Sequence, residues 1–467
     1  MLKALKHTPW PILLLVTSFL CPTELSVYVG SARLPPHRAL LLVLLPWALA
    51  ALVGRNRIRP HAFDAAFLAF AVWTVIVYAY HHGQADGLQT GGALALDSLG
   101  SFLVARAFVR DEAALRGTIA ALLAAVAVAG LMALPETLLH QTFIHDALKQ
   151  LTGYVHPVGV EQRLGLTRAY GSFDHPIHLG TFCAGTLALA IYAARSNIDA
   201  AMRAAIIAGA TLTSMSSAPM LSLAVQFGLI GIERATRGIK GRVSLAVGVI
   251  GAAFVALSLV ATRSPFALIA TGFTLDPWTG YYRLLIWEHG LWNVWWNPWM
   301  GLGLNDWVRP DWMASPTVDA FWLVIAMRGG FPSFILLMAA IVFIARGVVV
   351  GMRGATRDGR TLATGWMISL IALSLVGCTV HYWNVPYAYF FFFLGLGGCL
   401  ADPLRQTAMK KANVAMPQPA PRVRWIDPEG WTAAPDRWQH PRSAHYPGCA
   451  PAPRWPVPAT TSPVSSR

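Results

Sequence analysis

The chain has 467 residues, of which 55% are hydrophobic and only 12% charged, a balance that excludes a water-soluble multidomain protein. Apolar runs near the ~20 residues that cross a bilayer recur along most of its length, so it reads as an all-α, polytopic integral membrane protein with the lipid bilayer as its first partner. The net charge of +14 does not mark a nucleic-acid partner, because the arginines fall in short clusters beside the apolar runs, where they fix membrane orientation.

In chain order, the first span covers 10–30. Lys3 and Lys6 precede it and no small-residue cleavage site follows, so it is expected to stay as a first helix. A second span, 40–53, ends at Arg55, Arg57 and Arg59, which assigns that end to the cytoplasm. The third, 63–80, is followed by His81 and His82 in a short outward loop. The fourth, 92–109, carries Asp97 and Arg106. Asp97 is read as a helix–helix hydrogen-bonding group, with a site role as the alternative. The fifth covers 117–134 and opens into a first large outward segment, 135–175. There Leu139, Phe143, Ala147 and Leu151 recur at helical spacing opposite His140, Gln141 and Lys149, the pattern of a helix lying on the membrane surface.

Span six ends at Arg195. Spans seven and eight, 204–215 and 218–231, are short and meet at TSMSSAP, either as discontinuous helices that line a cavity or as a tight hairpin. Arg234, Arg237, Lys240 and Arg242 form the most basic inward loop, and span nine, 243–261, leads to a second outward segment, 263–319. Span ten, 320–345, begins just after Asp319 and holds Arg328 about two turns in. Spans eleven and twelve, 362–380 and 387–400, flank the outward turn HYWNVP. The sum is about twelve helices in a membrane domain over 1–400, with both termini cytoplasmic and a Pro-rich, basic tail over 401–467 expected to be disordered. Cys21, Cys183, Cys378, Cys399 and Cys449 lack any CxxC spacing and read as small core residues, with neither a disulfide nor a metal framework.

The second outward segment centres on 281–307, YYRLLIWEHGLWNVWWNPWMGLGLNDW. Its tryptophans and tyrosines suit a membrane–water boundary, where an apolar ring sits in lipid and its N–H or O–H stays wet. Arg283 is thereby held close to hydrocarbon, so a phosphate or carboxylate partner is expected, an arginine snorkelling to water being the bland alternative. No P-loop, no GxGxxG after a strand and no GxSxG occurs, which leaves the chemistry to outward groups: Arg168, Asp174, His175, His178, Arg283, Glu288, Asp306, Asp311 and Asp319. Arginines and carboxylates at a lipid boundary suit a reaction in which a membrane-held diphosphate leaves and a hydroxyl attacks. The arginine fork offsets charge on the phosphate oxygens, and a carboxylate or imidazole removes the hydroxyl proton. No HExxH or CxxC pairing accompanies Asp174, His175 and His178, so no metal is expected there.

Three blocks resemble the O-antigen ligase and Wzy-type polysaccharide polymerase superfamily of bacterial inner membranes: RAYGSFDHPIHLGTFCA at 168–184, the 281–307 stretch with Arg283, Trp287, Asn297-Pro298 and a Gly-x-Gly turn, and PTVDAFWLVIAMRGGFPSFILLM at 316–338. The resemblance implies a helical membrane glycosyltransferase, free of metal and cofactor. Its donor would be an undecaprenyl-diphosphate-linked oligosaccharide and its acceptor a glycan hydroxyl on another repeat or on lipid A core, with a chain-length regulator as a further partner. By it Arg283 matches the diphosphate-engaging arginine.

Two places depart from that pattern. The ligases' Ser-Arg-Gly step reads Ser214-Met215-Ser216-Ser217 here, so Arg168 or Arg328 would have to substitute. Their His-Asn pair reads Thr317-Val318-Asp319-Ala320, which makes Asp319 the candidate base. The departures resemble the exopolysaccharide polymerase branch. The expected catalytic residues are Arg283, Asp319 and His175, with Arg168, Asp174, Trp287, Asn297 and Arg328 binding substrate. A ligase is the alternative within the class, and a secondary transporter or flippase outside it.

Overall fold

The computed structural model describes residues 2–53, 59–154, 159–239, 277–313 and 315–402; expected span nine, the loop residues Arg55, Arg57, Lys240 and Arg242, and nearly all of the tail lie outside these described residues. The protein is a helical membrane protein. Among the described residues five helical stretches are long and apolar enough to cross a bilayer, Pro36–Val53, Ala62–Phe108, Glu112–Leu139, Phe321–Gly351 and Arg357–Val376, and Pro176–Tyr192 and Val385–Ala401 are shorter apolar ones.

The helices are α1 (Leu2–Leu5), α2 (Trp10–Ser18), α3 (Pro36–Val53), α4 (Ala62–Ala95), α5 (Ser101–Phe108), α6 (Glu112–Leu139), α7 (Phe143–Thr152), α8 (Pro176–Ala184) and α9 (Leu187–Tyr192). Then come α10 (Asn197–Leu212), α11 (Ser217–Ala235), α12 (Pro277–Trp296), α13 (Phe321–Gly351), α14 (Arg357–Val376) and α15 (Val385–Ala401). Two antiparallel hairpins complete the described elements. In β1 (Val27–Val29) with β2 (Ala32–Leu34), Val27 pairs with Leu34; in β3 (Gln162–Arg163) with β4 (Leu166–Thr167), Gln162 pairs with Thr167.

Helix α15 is the axis of the bundle. It is apolar all round, with Phe390–Phe393 in a row, and every residue from Val385 to Leu400 is buried, as a helix with no polar face must be. Gly397 and Gly398 let the Trp366 ring of α14 and the Arg106 stem of α5 lie against its backbone. Around it, α3 and α13 turn apolar side chains such as Leu42, Val43, Val342 and Phe343 outward, where lipid is the compatible solvent. One end of the bundle is bound together by charge: Arg106 pairs with Asp64 at 3.2 Å, Arg116 with Asp358 at 2.9 Å, and Arg110 donates to Ala51 O at 2.7 Å.

The opposite end departs from the expected spans. The helix expected over 10–30 stops at Ser18, and the chain then forms a 3₁₀ turn at Thr23–Leu25 and the β1–β2 hairpin. Pro22 has no N–H to continue the helix, and Glu24 is buried against His145 of α7 instead of lying in lipid. His81 and His82, expected in a loop, are helical. The reversal is made by Gly83 alone (φ 78°), after which α4 folds back so closely that Gly87 and Gly91 lie against the backbone of Tyr78 and Val75. Where a surface helix was expected over 139–151, α7 forms at Phe143–Thr152 with Phe143 and Leu151 exposed and His145 buried, but Leu139 closes α6, and the left-handed His140 separates the two helices. Asp97 also does what was expected, pairing in the bundle with Arg38 (Nε–Oδ1 3.0 Å). Of the described cysteines, Cys183 and Cys399 are buried and Cys21 and Cys378 partly so.

Candidate functional site

Helix α13 is the element that shapes the site. The Met327-Arg328-Gly329-Gly330-Phe331-Pro332 run breaks it at Gly330 (φ 70°), where a Cβ would collide with Trp299 O, and Pro332 has no N–H to bridge the break. Thus Arg328, expected inside a continuous span, ends a separate first segment two residues before the break. The freed backbone groups are taken up by the Gly-Leu-Gly turn of the Trp-rich stretch: Leu302 N donates to Met327 O (2.7 Å), Gly303 N to Arg328 O (3.0 Å), and Phe331 N to Pro298 O (2.7 Å). Trp73 Nε1 donates to Gly329 O (2.9 Å). His82 Nε2 accepts from Leu304 N (2.7 Å), and His81 Nε2 meets Met300 O (3.1 Å). Non-helical backbone at this depth is satisfied by protein, the condition for its survival there.

Three spaces meet at Arg328. A cavity of about 430 Å³ is lined by Asn305, Trp307, Asp319, Arg328, His381 and Trp383 among others. A second, of about 260 Å³, is lined by Arg38, Asp97, Arg328, His381, Trp383 and Tyr387. An apolar groove of about 1410 Å³ runs along α3, α4 and α5, walled by leucines 42, 45, 49, 52, 68, 88, 99 and 103 and ending at Arg33, Arg38 and Arg328. Arg38 is committed to Asp97, whereas the Arg328 guanidinium has no hydrogen-bond or ion-pair partner among the described residues. Asp319 shares the first of these cavities with it. Burial raises the Asp319 pKa above the ordinary carboxylate value, and the charge of Arg283 pulls against that rise. Burial pushes His381 down to about 3, with the Arg328 charge acting in the same direction, so its imidazole is neutral.

Arg283 does not line that cavity. It is 7% exposed, its Nε has no partner among the described residues, and it lies in the field of Asp319, Arg163 and Arg168. Burial lowers its pKa, Asp319 opposes that, and the two neighbouring arginines add to it. Arg168 is also buried. It pairs with Glu161, reaches Ser216 Oγ at 3.2 Å, and leaves its Nε unpartnered. Arg163 Nη1 reaches Met215 O at 3.4 Å. The α10–α11 break, where Met215 takes a left-handed φ of 41°, is therefore capped by two arginines from the β3–β4 hairpin and its exit, and its Thr213 O accepts from Ala169 N (3.0 Å).

The other expected residues are placed as follows. His175 caps α8, its Nδ1 accepting from Ile177 N at 3.2 Å, and its ring lies near those of His178 and Trp383. Asp174 accepts from Asn384 Nδ2 (2.6 Å) and Thr23 Oγ1, tying three segments together. Trp287 donates to Cys378 O (2.8 Å) and Asn297 to Asn293 O (3.2 Å), bonds that hold α12 and the turn after it in place. The structure thus brings Asp319, Arg328 and Arg283 into one neighbourhood with Arg168 and Arg163, and gives Trp287 and Asn297 framework bonds. Arg163, His381 and Trp383 were missed; the only signal for the last two was an aromatic-rich outward turn. Among the described residues no group of three or more His, Cys, Asp and Glu could hold a metal ion. No protein-family model matches the chain, and no curated protein matches its sequence.

Proposed function

We propose that the protein is an inner-membrane glycosyltransferase that polymerises undecaprenyl-diphosphate-linked repeat units at the outward face, in a bundle of about twelve spans with both termini cytoplasmic. The observation that carries this reading is the unpaired Arg328, standing where a leucine-walled groove opens to lipid and a polar cavity holding Asp319 meet. A polyprenyl chain fits the groove by apolar burial, and its diphosphate then reaches a free guanidinium fork. The acceptor hydroxyl attacks the anomeric carbon, the bond to the diphosphate oxygen breaks, and Asp319 takes the hydroxyl proton. Arg328 holds the charge that grows on the leaving phosphate. Arg283, with Arg168 beside it, opposes the rise that burial gives the Asp319 pKa and adds positive potential. The three resembling blocks supply these same residues, and the exposed tryptophans of α12 fit a membrane boundary.

The test is the glycan profile of cells carrying Arg328→Ala or Asp319→Asn, with lipid-linked intermediates extracted alongside polymer. Single repeats on the lipid carrier with polymer missing are expected. Full-length polymer stranded on the carrier would make the protein a ligase instead, and an unchanged profile would remove glycosyl transfer from this site.

A further inference from the structure

The cavity that holds Asp319 has a wall that diphosphate chemistry leaves unused. Trp383 is 36% exposed and lines both polar cavities, although the rings of His178 (centroids 3.7 Å apart) and His381 (5.6 Å) pack against it. Its neighbours fix it: Tyr382 is buried with its hydroxyl donating to Leu373 O (2.7 Å), and Asn384, at φ 49°, donates to Asp174 (2.6 Å). An indole fixed by its neighbours with part of its surface open to a polar cavity is available to a ligand that enters the cavity. In the same cavity the Asn305 amide and the Asp319 carboxylate have no hydrogen-bond partner among the described residues. One aromatic face beside planar polar groups is the chemistry that recognises a sugar ring, whose C–H face is apolar and whose rim is hydroxyl.

We propose that this cavity is the acceptor-sugar subsite, with Trp383 as the platform on which the acceptor ring stacks and Asn305 as a hydroxyl-gripping group beside it. The assignment rests on the glycosyl-transfer reading. It follows from where the base lies: Asp319 lines this cavity and not the one bordered by Arg38, so the hydroxyl it deprotonates belongs here. The volume of about 430 Å³ falls within the ~300–1,000 Å³ of small-molecule sites. Trp383 binds and positions the acceptor, so its loss is felt as acceptor affinity.

The experiment uses the full chain in proteoliposomes, with extracted lipid-linked repeat as donor and the oligosaccharide released from that lipid by mild acid as soluble acceptor. Trp383→Ala is expected to raise the acceptor KM by about tenfold, the loss of one stacked ring, while the rate at saturating acceptor is retained. Trp383→Phe restores most of the affinity, and Asn305→Ala gives a smaller rise in KM. An unchanged KM in Trp383→Ala, or Trp383→Phe no better than Trp383→Ala, overturns the subsite. Arg328→Ala, run alongside, separates the two claims: if it abolishes transfer while Trp383→Ala keeps the wild-type KM, only the subsite fails. If the wild-type chain transfers nothing to the soluble acceptor, the reading beneath it fails as well.

Discussion

Asp319 sits between opposing influences, burial that raises its pKa and the Arg283 charge that lowers it. On the proposed reading Asp319 is a general base, which works only when deprotonated, so the rate of polymer formation is expected to fall as pH drops through this raised value. Replacing Arg283 with Gln removes the lowering influence and leaves the burial. The acid limb of the pH–rate profile in membrane vesicles is then expected to move to higher pH, and an acid limb that stays in place would detach Arg283 from Asp319. Asp319 could be singled out in the sequence because the 316–338 block resembles one that carries a base just before the apolar run, and the structure adds that it lines a cavity with Arg328. Arg163 was not legible. Its place depends on a hairpin that docks on Met215, 52 positions away, and no local pattern encodes that docking. Trp287 and Asn297 show the converse, since their spacing marks the block while their hydrogen bonds serve its framework.

Among the elements, the broken helix α13 and the turn seated on it carry the site, and the glycines at the break are what permit both. Gly330→Ala forces a left-handed residue, at roughly 1–3 kcal/mol, and drives a Cβ into Trp299 O, so a lower melting temperature in detergent and loss of polymer are expected. Gly228→Ala, where nothing lies within 4 Å and which lines no cavity of the site, is the matched control and leaves both unchanged. A second element-scale consequence concerns α7, docked by His145 on Glu24. Burial lowers the His145 pKa, but the hydrogen bond and charge of Glu24, with Glu136 behind, outweigh it, and the net shift is upward. A folded-state pKa above the unfolded value means that this stabilisation is fully present below about pH 6.5 and is lost as pH rises through the raised value. The protection factor of the α7 amides, their exchange rate corrected for its intrinsic base catalysis, is therefore expected to fall as pH rises above about 6.5. A protection factor that stays constant as pH rises would show that the pair does not hold the helix. The helix over Phe143–Thr152 was readable from period, but the break at His140 that assigns Leu139 to α6 was not. The reversal at Gly83 and the early end of α2 were not, since a run of apolar residues fixes the solvent of a segment but not where one glycine turns it or a proline stops it.

For the whole molecule, the basic end bound by Arg106, Arg110 and Arg116 and the opposite end carrying α7 predict opposite exposures. Lys149→Cys should react with an impermeant thiol reagent in intact cells, and Arg237→Cys only after the membrane is opened; the reverse pattern would invert the topology. The class of the protein was plain from composition because a bilayer constrains every residue of a span. The meeting of groove, cavities and Arg328 was not plain, being a property of helices distant in sequence. That meeting is the centre of the account, and binding of undecaprenyl diphosphate to the purified chain in nanodiscs measures it most directly. Retention by the wild-type protein is expected, with binding at least about tenfold weaker in Arg328→Ala, the scale of one lost charge-assisted contact to phosphate. Equal binding by the two would contradict it.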